Sequence, residues 1–187
     1  MREIIFFLEE QSAKEMLQGV LPRVLADIPF KCIHFEGKQD LEKQLGRRLR
    51  GWGNPDALFV VLRDQDSADC ILVKRNLQKI CDDAGRPEAL LRVVCHELES
   101  WYLGDLHAVE MGLNVTGLAK HQQKRKFRAP DRLQNPKQEL KKLTKNQYQQ
   151  ILGSREIGRH MKLEGNSSIS FNVFISGVTR LIQKEHS

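Results

Sequence analysis

The sequence predicts an α/β fold in which a parallel sheet is flanked by helices and followed by a C-terminal helical extension. Four short apolar runs alternate with segments of helical periodicity over the first hundred residues. Strands that are separated by helices run parallel, because each helix returns the chain to the same end of the sheet. This alternation stops near Asp105. We therefore predict a core over residues 1–105 and a basic helical region over residues 106–187 that packs on it.

Each strand of the core is predicted from a short apolar run. The four runs are EIIFFL at 3–8, FKCIHF at 30–35, DALFVVLR at 56–63 and ALLRVVC at 89–95. Helices are predicted after each run from apolar residues at helical spacing, and they start at Ser12, Lys38, Ser67 and His96. In this order each strand is connected to the next by one helix, as a parallel sheet requires.

Two of these helices carry more specific predictions. Ser12 is predicted to be an N-cap with Glu15 completing a capping box, and Pro22 is a position where that helix could kink or divide. In the helix at 67–83, the predicted inward residues are Leu72, Leu77 and Ile80.

Beyond Asp105 the sequence predicts helices and a basic loop. The predicted helices are 105–114, 138–144, 147–152, 154–161 and 168–183, and residues 116–136 are polar and poorly periodic. Asp105 is predicted to cap the helix that follows it, and Trp101 and Tyr102 to belong to the core. Ser167, Ser168 and Ser170 are predicted to cap the last helix.

The composition indicates a soluble globular protein, since 40% of the 187 residues are hydrophobic and 29% are charged. No apolar run approaches the roughly 20 residues that span a bilayer, and MREIIFFLEE is too short and acidic for a signal peptide. We therefore expect a cytoplasmic protein with no membrane partner. The four cysteines have no Cys-x-x-Cys spacing, so we expect buried thiols and not a disulfide or zinc framework.

Acidic residues follow three of the four predicted strands. They are Glu9 and Glu10 after the first, Asp64 and Asp66 after the third, and Glu97 and Glu99 after the fourth. The carboxyl ends of parallel strands meet at one edge of the sheet, where ligands bind. Crowded carboxylates cannot all stay ionised without a cation, and Mg²⁺ or Mn²⁺ prefers oxygen ligands. We therefore predict a divalent-metal site whose ligands are Glu9, Asp64, Asp66 and Glu97.

Several alternatives stay open at this edge. The acids of DQDSAD could simply cap the helix that follows. Glu97 and Glu99 would point about 200° apart on a helix, so that at most one faces the site, but would share a face on a continued strand. His96 beside them could transfer a proton or be structural.

Basic residues concentrate between Lys120 and Lys145, and they favour a nucleic-acid partner, because clustered Lys and Arg displace counterions from phosphates. The predicted contacts are Lys124, Arg125, Lys126, Arg128 and Arg132. Phe127 among them could stack on a base. The alternative is a solvated loop with no ligand.

Four segments carry a resemblance to known families. FFLEEQSAKEML and FVVLRDQDSADC resemble the two acidic motifs of Toprim domains, although Glu10 stands where those domains commonly have Gly. HELESWYLGD and SSISFNVFISGVTRL resemble an uncharacterised bacterial family of Toprim-like proteins. That family is often encoded beside ATPases resembling the OLD and SMC proteins, in phage-defence loci.

The resemblance implies a Toprim-like, Rossmann-like fold and a Mg²⁺-dependent nuclease. Its catalytic acids would be Glu9 or Glu10, Asp64, Asp66, and Glu97 or Glu99. We expect cleavage of DNA or RNA with Mg²⁺ or Mn²⁺, control by an OLD/SMC-like ATPase partner in anti-phage defence, and possible homo-oligomers. The alternative is a catalytically inert Toprim-like interaction subunit of the ATPase complex. The lack of a G-x-x-x-x-G-K-[ST] loop argues against ATP hydrolysis by this chain.

Overall fold

The four predicted strands form one parallel sheet in the order β2-β1-β3-β4. The structure is a computed structural model that describes residues 3–183, so the ends of the two predicted parts lie outside the described residues. The strands are β1 (Ile4–Leu8), β2 (Phe30–His34), β3 (Leu58–Asp64) and β4 (Leu90–Val94). The predicted α/β class is confirmed.

The register aligns the carboxyl ends of the strands at one edge of the sheet. Leu8 of β1 lies between His34 of β2 and Leu62 of β3, and Asp64 of β3 lies beside Val94 of β4. All five residues of β1 are buried, because this central strand has helices on both of its faces. Residues that follow β1, β3 and β4 are therefore brought to the same place.

Nine α-helices surround and extend the sheet over residues 3–183. They are α1 (Gln11–Leu25), α2 (Lys38–Arg50), α3 (Cys70–Asp83), α4 (Glu99–Leu103), α5 (Leu106–Gly112), α6 (Arg125–Arg128), α7 (Pro136–Leu143), α8 (Gln150–His160) and α9 (Ile169–Gln183). Short 3₁₀ helices lie at Ala119–Gln123 and Pro130–Arg132. None of the described helices has both the length and the apolar character needed to cross a bilayer.

Helix α1 begins earlier than the sequence predicts. Glu10 occupies the N-cap position, so the predicted capping box of Ser12 and Glu15 is wrong. The Ser12 hydroxyl instead donates to Glu10 Oε2 at 3.4 Å, and Glu15 forms an ion pair with Arg155 at 2.7 Å. The helix continues past Pro22 to its end at Leu25.

Helix α3 begins three residues later than predicted. Its N-cap is Asp69, whose carboxylate accepts hydrogen bonds from the N–H groups of Ile71 and Leu72. The buried residues of this helix are Val73, Leu77 and Cys81. Leu77 is therefore inward as predicted, whereas Leu72 is 53% exposed and that prediction is wrong. The prediction of buried thiols also fails at Cys70, which lies exposed in the first turn.

Helix α8 is continuous where the sequence predicts two helices. Gly153 suggests a break, but a Cβ there would lie 2.7 Å from the Tyr148 ring, so packing requires the small residue. Gly158 of α8 faces Gly19 of α1. A Cβ on Gly19 would lie 2.6 Å from the Gly158 carbonyl carbon, so this contact also requires small residues. The backbones of α1 and α8 are therefore in direct contact.

Two hydrophobic clusters cover the two faces of the sheet. The larger one joins β1, α1, α4, α5, α8 and α9, so residues on both sides of Asp105 share it. Trp101 and Tyr102 are fully buried within it, as predicted. Phe171, Phe174 and Val178 of α9 are buried there too, so the last helix packs on the core through an apolar face.

Candidate active site

Glu9 and Asp64 lie together at the carboxyl edge of the sheet. Glu9 directly follows β1, and Asp64 is the last residue of β3. The Asp64 N–H donates to Glu9 Oε2 at 3.0 Å, and the Leu98 N–H donates to Asp64 Oδ2 at 3.1 Å. Segments that follow three different strands are thus linked at one point, as the parallel topology led us to expect.

Burial and mutual charge make both carboxyl groups hard to ionise. Burial raises the pKa of Glu9 from 4.5 to about 7, although the Asp64 N–H opposes this effect and the Asp66 charge adds to it. Burial also raises the pKa of Asp64 well above its ordinary value, and the charges of Glu9 and Glu99 raise it further. Each group therefore favours a nearby cation or a bound proton.

Glu99 is the most deeply buried of the candidate acids, with 3% of its surface exposed. The Tyr148 hydroxyl donates to Glu99 Oε1 at 2.9 Å and lies 3.3 Å from the Ser154 hydroxyl. Burial raises the pKa of Glu99, whereas the Tyr148 hydrogen bond and the Lys137 charge lower it. Tyr148 of the C-terminal region therefore holds Glu99 in place, and the charge of Glu99 raises the pKa of Asp64.

Glu97 and Glu10 connect the edge to the C-terminal helices. Glu97 Oε2 accepts the Lys137 N–H at 2.9 Å in the first turn of α7. Glu10 Oε2 accepts from the Gln150 amide at 2.6 Å, and that amide's oxygen accepts from Lys137 Nζ at 2.6 Å. Glu97 lies in the segment between β4 and α4, whereas Glu99 is the first residue of α4. Glu97 and Glu99 therefore have different hydrogen-bond partners. The role of Glu97 as a metal ligand stays a prediction.

Asp66 and His96 form an unusual backbone pair beside these acids. Both residues have a positive φ, 55° and 59°, which is uncommon outside glycine but better tolerated by Asp and His than by most residues. The Asp66 N–H donates to the His96 carbonyl at 2.7 Å, and His96 Nδ1 lies 3.1 Å from the Asp66 carbonyl oxygen. Backbone strain of this kind clusters at functional sites.

Two cations lie close to the acids, and the sequence analysis missed both. Lys38 Nζ is 2.8 Å from Asp66 Oδ2, and its charge also acts on Glu9. The buried Arg63 contacts Glu42 Oε1 at 2.6 Å and lies 3.9 Å from Glu9 Oε2. The signal for Lys38 was the preceding Gly37, whose φ of 95° and N–H bond to the Glu9 carbonyl fix the start of α2 at this edge.

Glu9 and Asp64 could together contribute two carboxylates to a single magnesium or manganese ion, but they do not form a closed metal cage. Mg²⁺ usually takes one or two protein carboxylates and completes its shell with water and substrate phosphate. Among residues 3–183, no three His, Cys, Asp or Glu side chains form a ready ligand set. Glu9 and Asp64, with the partly exposed Asp66 beside them, supply carboxylates whose raised pKa values a divalent charge would lower.

The basic stretch, residues 120–145, is folded into short helices, and most of its basic side chains are exposed to solvent. The five predicted nucleic-acid contacts, Lys124, Arg125, Lys126, Arg128 and Arg132, are all exposed. Lys126 forms an ion pair with Glu139 at 2.7 Å. Phe127 is 1% exposed and belongs to the larger core, so the prediction that it stacks on a base is wrong.

The start of α9 carries its own acidic partner. Ser168 acts as a cap, as predicted, since its hydroxyl accepts the Phe171 N–H at 3.2 Å. The Asp131 carboxylate accepts from the Ser168 hydroxyl and from the Ser170 N–H, both at 2.7 Å. An acid of the basic stretch therefore occupies this helix terminus.

A family model described as a domain of unknown function, DUF4276, matches residues 8–179. The chain therefore belongs to the DUF4276 family. The match includes the acidic edge, which is the carboxyl edge of the sheet with Glu9, Asp64 and the acidic residues beside them. It also includes the α7 and α8 residues that contact this edge. No curated protein and no solved structure matches the chain.

Proposed function

We propose that the protein is a metal-dependent nuclease that hydrolyses DNA or RNA phosphodiesters with Mg²⁺ or Mn²⁺. The observation that carries this proposal is the contact of Glu9 with Asp64 at the carboxyl edge, where both side chains have raised pKa values. Parallel α/β sheets bind their ligands at this edge. Strain at Asp66 and His96 supports a functional role for the same place.

The residues at this edge suit phosphodiester hydrolysis. A divalent ion held by Glu9 and Asp64 would acidify water and offset charge on the phosphate. Glu9 would then act as a ligand, because the bound ion lowers the pKa that burial raises to about 7 and so keeps the carboxylate ionised near neutral pH. The Leu98 N–H orients the Asp64 carboxylate, and the Lys38 ammonium can offset charge on a phosphate oxygen.

The proposed setting is a defence system in which a partner ATPase controls the nuclease. The resemblance to Toprim-like proteins encoded beside OLD- and SMC-like ATPases supports it. Control by a partner would protect the host, because a free nuclease cuts any accessible nucleic acid. The exposed basic residues between Lys120 and Lys145 provide surface charge for a nucleic-acid backbone.

The test is cleavage of plasmid DNA, single-stranded DNA and tRNA with Mg²⁺ or Mn²⁺, with and without the neighbouring ATPase where one is encoded. Asp64→Asn keeps the side-chain shape and removes the charge, so we expect a loss of cleavage of about a hundredfold or more. Asp83→Asn is the matched control, because Asp83 is exposed on α3, away from the acidic edge, and forms an ion pair with Lys79. It should cut like the wild type.

The contradicting result would be the lack of cleavage on every substrate together with no Mn²⁺ binding that depends on Asp64. That result would favour the second candidate, an inert interaction subunit. One observation supports this candidate: Asp66, Glu97 and Glu99 each already bond to a group of the chain itself. Capture of the ATPase by wild type and Asp64→Asn alike would then be expected.

A further inference from the structure

We propose that Lys38 and Lys137 bind phosphates of one nucleic-acid strand on either side of the acidic edge, and that this strand is single. The inference rests on the proposed nuclease function and deepens it. It places the main phosphate contacts at Lys38 of α2 and Lys137 of α7, and not at the five basic residues between Lys124 and Arg132 that the sequence predicts.

Lys137 is a partly buried cation that has no carboxylate partner among residues 3–183. Its Nζ donates to the neutral amide oxygen of Gln150 at 2.6 Å, and no carboxylate in the described part of the chain lies within 4 Å of it. Its charge nevertheless reaches Glu99, whose pKa it lowers. A partly desolvated ammonium gains from a charged partner, and a phosphate beside the acids would supply one.

Lys38 lies on α2, which packs on the face of the sheet opposite to the one that α7 covers. The hydrogen bond from the Gly37 N–H to the Glu9 carbonyl holds the first turn of α2 against the acidic edge. Lys38 pairs with Asp66 at 2.8 Å, but both side chains are more than a third exposed. An ion pair this exposed is weak, so a phosphate can replace Asp66 as the partner of Lys38.

A cleft next to these lysines fits an unpaired base. It has a volume of about 580 Å³ and lies between Glu10, the end of β2 and the start of α8. Gln150 lines it and also contacts Lys137. Ile151 and Leu152 are 40% and 60% exposed there, and they offer apolar surface to a base. A base can enter only from a strand that is not paired, which favours a single-stranded substrate.

The test measures binding without turnover. A fluorescent oligothymidylate is titrated with the full chain in Ca²⁺, over a salt series, and its integrity is checked on a denaturing gel. We expect Lys38→Gln and Lys137→Gln each to weaken binding by about 3- to 10-fold and to reduce the salt slope by about 0.7, the value for one phosphate contact on a single strand. Lys137→Arg keeps the charge and should retain the wild-type slope.

Two comparison variants make the result specific. Lys79→Gln removes an exposed lysine of α3 that pairs with Asp83, and it should bind like the wild type. The triple variant Lys124→Gln/Arg125→Gln/Arg128→Gln removes part of the basic stretch, and it should lose less affinity than either single variant at the edge.

The outcomes separate this inference from the nuclease proposal. Unchanged affinity and slope in Lys38→Gln and Lys137→Gln would overturn it, as would a larger loss in the triple variant. Equal binding of a duplex of the same length would overturn the single-strand assignment. If the chain cuts nothing in Mg²⁺ or Mn²⁺ but binds in a lysine-dependent way, only the nuclease proposal fails.

Discussion

Replacing Glu9 with Gln should change how the stability of the protein depends on pH. Glu9 is 8% exposed, and burial raises its pKa from 4.5 to about 7. A change of this size corresponds to roughly 3 kcal/mol between the folded and unfolded states. Gln has nearly the same shape and can still accept the Asp64 N–H, so the substitution removes mainly the charge.

The direction of this pH dependence follows from whether Glu9 carries a proton in the folded and in the unfolded chain. Between pH 4.5 and about 7, the folded chain keeps a proton on Glu9 that the unfolded chain has released. The contribution of Glu9 to stability is therefore fully present below pH 4.5 and is lost as the pH rises through 7. We expect the wild type to lose roughly 2.5 kcal/mol more than Glu9→Gln between pH 5 and 8.

The assay is urea unfolding of both proteins at several pH values, without divalent ions. The reasoning would be refuted if the two stability curves ran parallel within about 0.5 kcal/mol across this range, a difference smaller than the extrapolation resolves. A second series with Mn²⁺ at pH 8 should restore stability to the wild type and leave Glu9→Gln nearly unchanged, since the ion binds the charged carboxylate.

Two further predictions concern how the C-terminal region supports the site. Tyr148→Phe should cost about 1–3 kcal/mol in urea unfolding, because it removes the buried hydroxyl that donates to Glu99; a loss below about 0.5 kcal/mol would speak against that role. Gly158→Ala should cost about 1–3 kcal/mol, because its Cβ would lie 2.9 Å from the Met16 Cα. Gly46→Ala on α2 is the matched control, since its Cβ would meet the Ile80 side chain at 3.5 Å, and it should gain up to about 1 kcal/mol.

The strands and their order along the chain could be predicted because they depend on local patterns. A buried run such as DALFVV has few alternatives to a strand between two helices, and the parallel arrangement then brings Glu9 and Asp64 to one edge. The starts of α1 and α3 could not be fixed in this way. Glu10, Ser12, Asp69 and Ser67 are all acceptable near a helix start. At α3 the cap is Asp69, which bonds to two N–H groups of its own helix, whereas at α1 Glu10 also bonds to the distant Gln150.

The hydrogen bonds that support the site could not be predicted from local patterns, because they join residues distant in sequence. The hydrogen bond from Tyr148 to Glu99 joins residues 49 positions apart, and the one from Gln150 to Glu10 joins residues 140 apart. Charge alone pointed to the stretch around Lys124, whereas Lys137 is the basic residue of that region in contact with the site. Phe127 was misjudged because its charged neighbours hide a core position.

The packing of α8 on α1 has a consequence for protein synthesis. The ribosome synthesises Glu9 and Asp64 long before it synthesises Tyr148, Gln150 and Gly158. The strands of the sheet therefore leave the ribosome before α8, the helix that packs on α1. Contacts this distant in sequence form slowly, because closing the long intervening loop costs entropy. The acidic edge is therefore completed only after α8 has been synthesised, and a nascent chain that ends before α8 has an incomplete site.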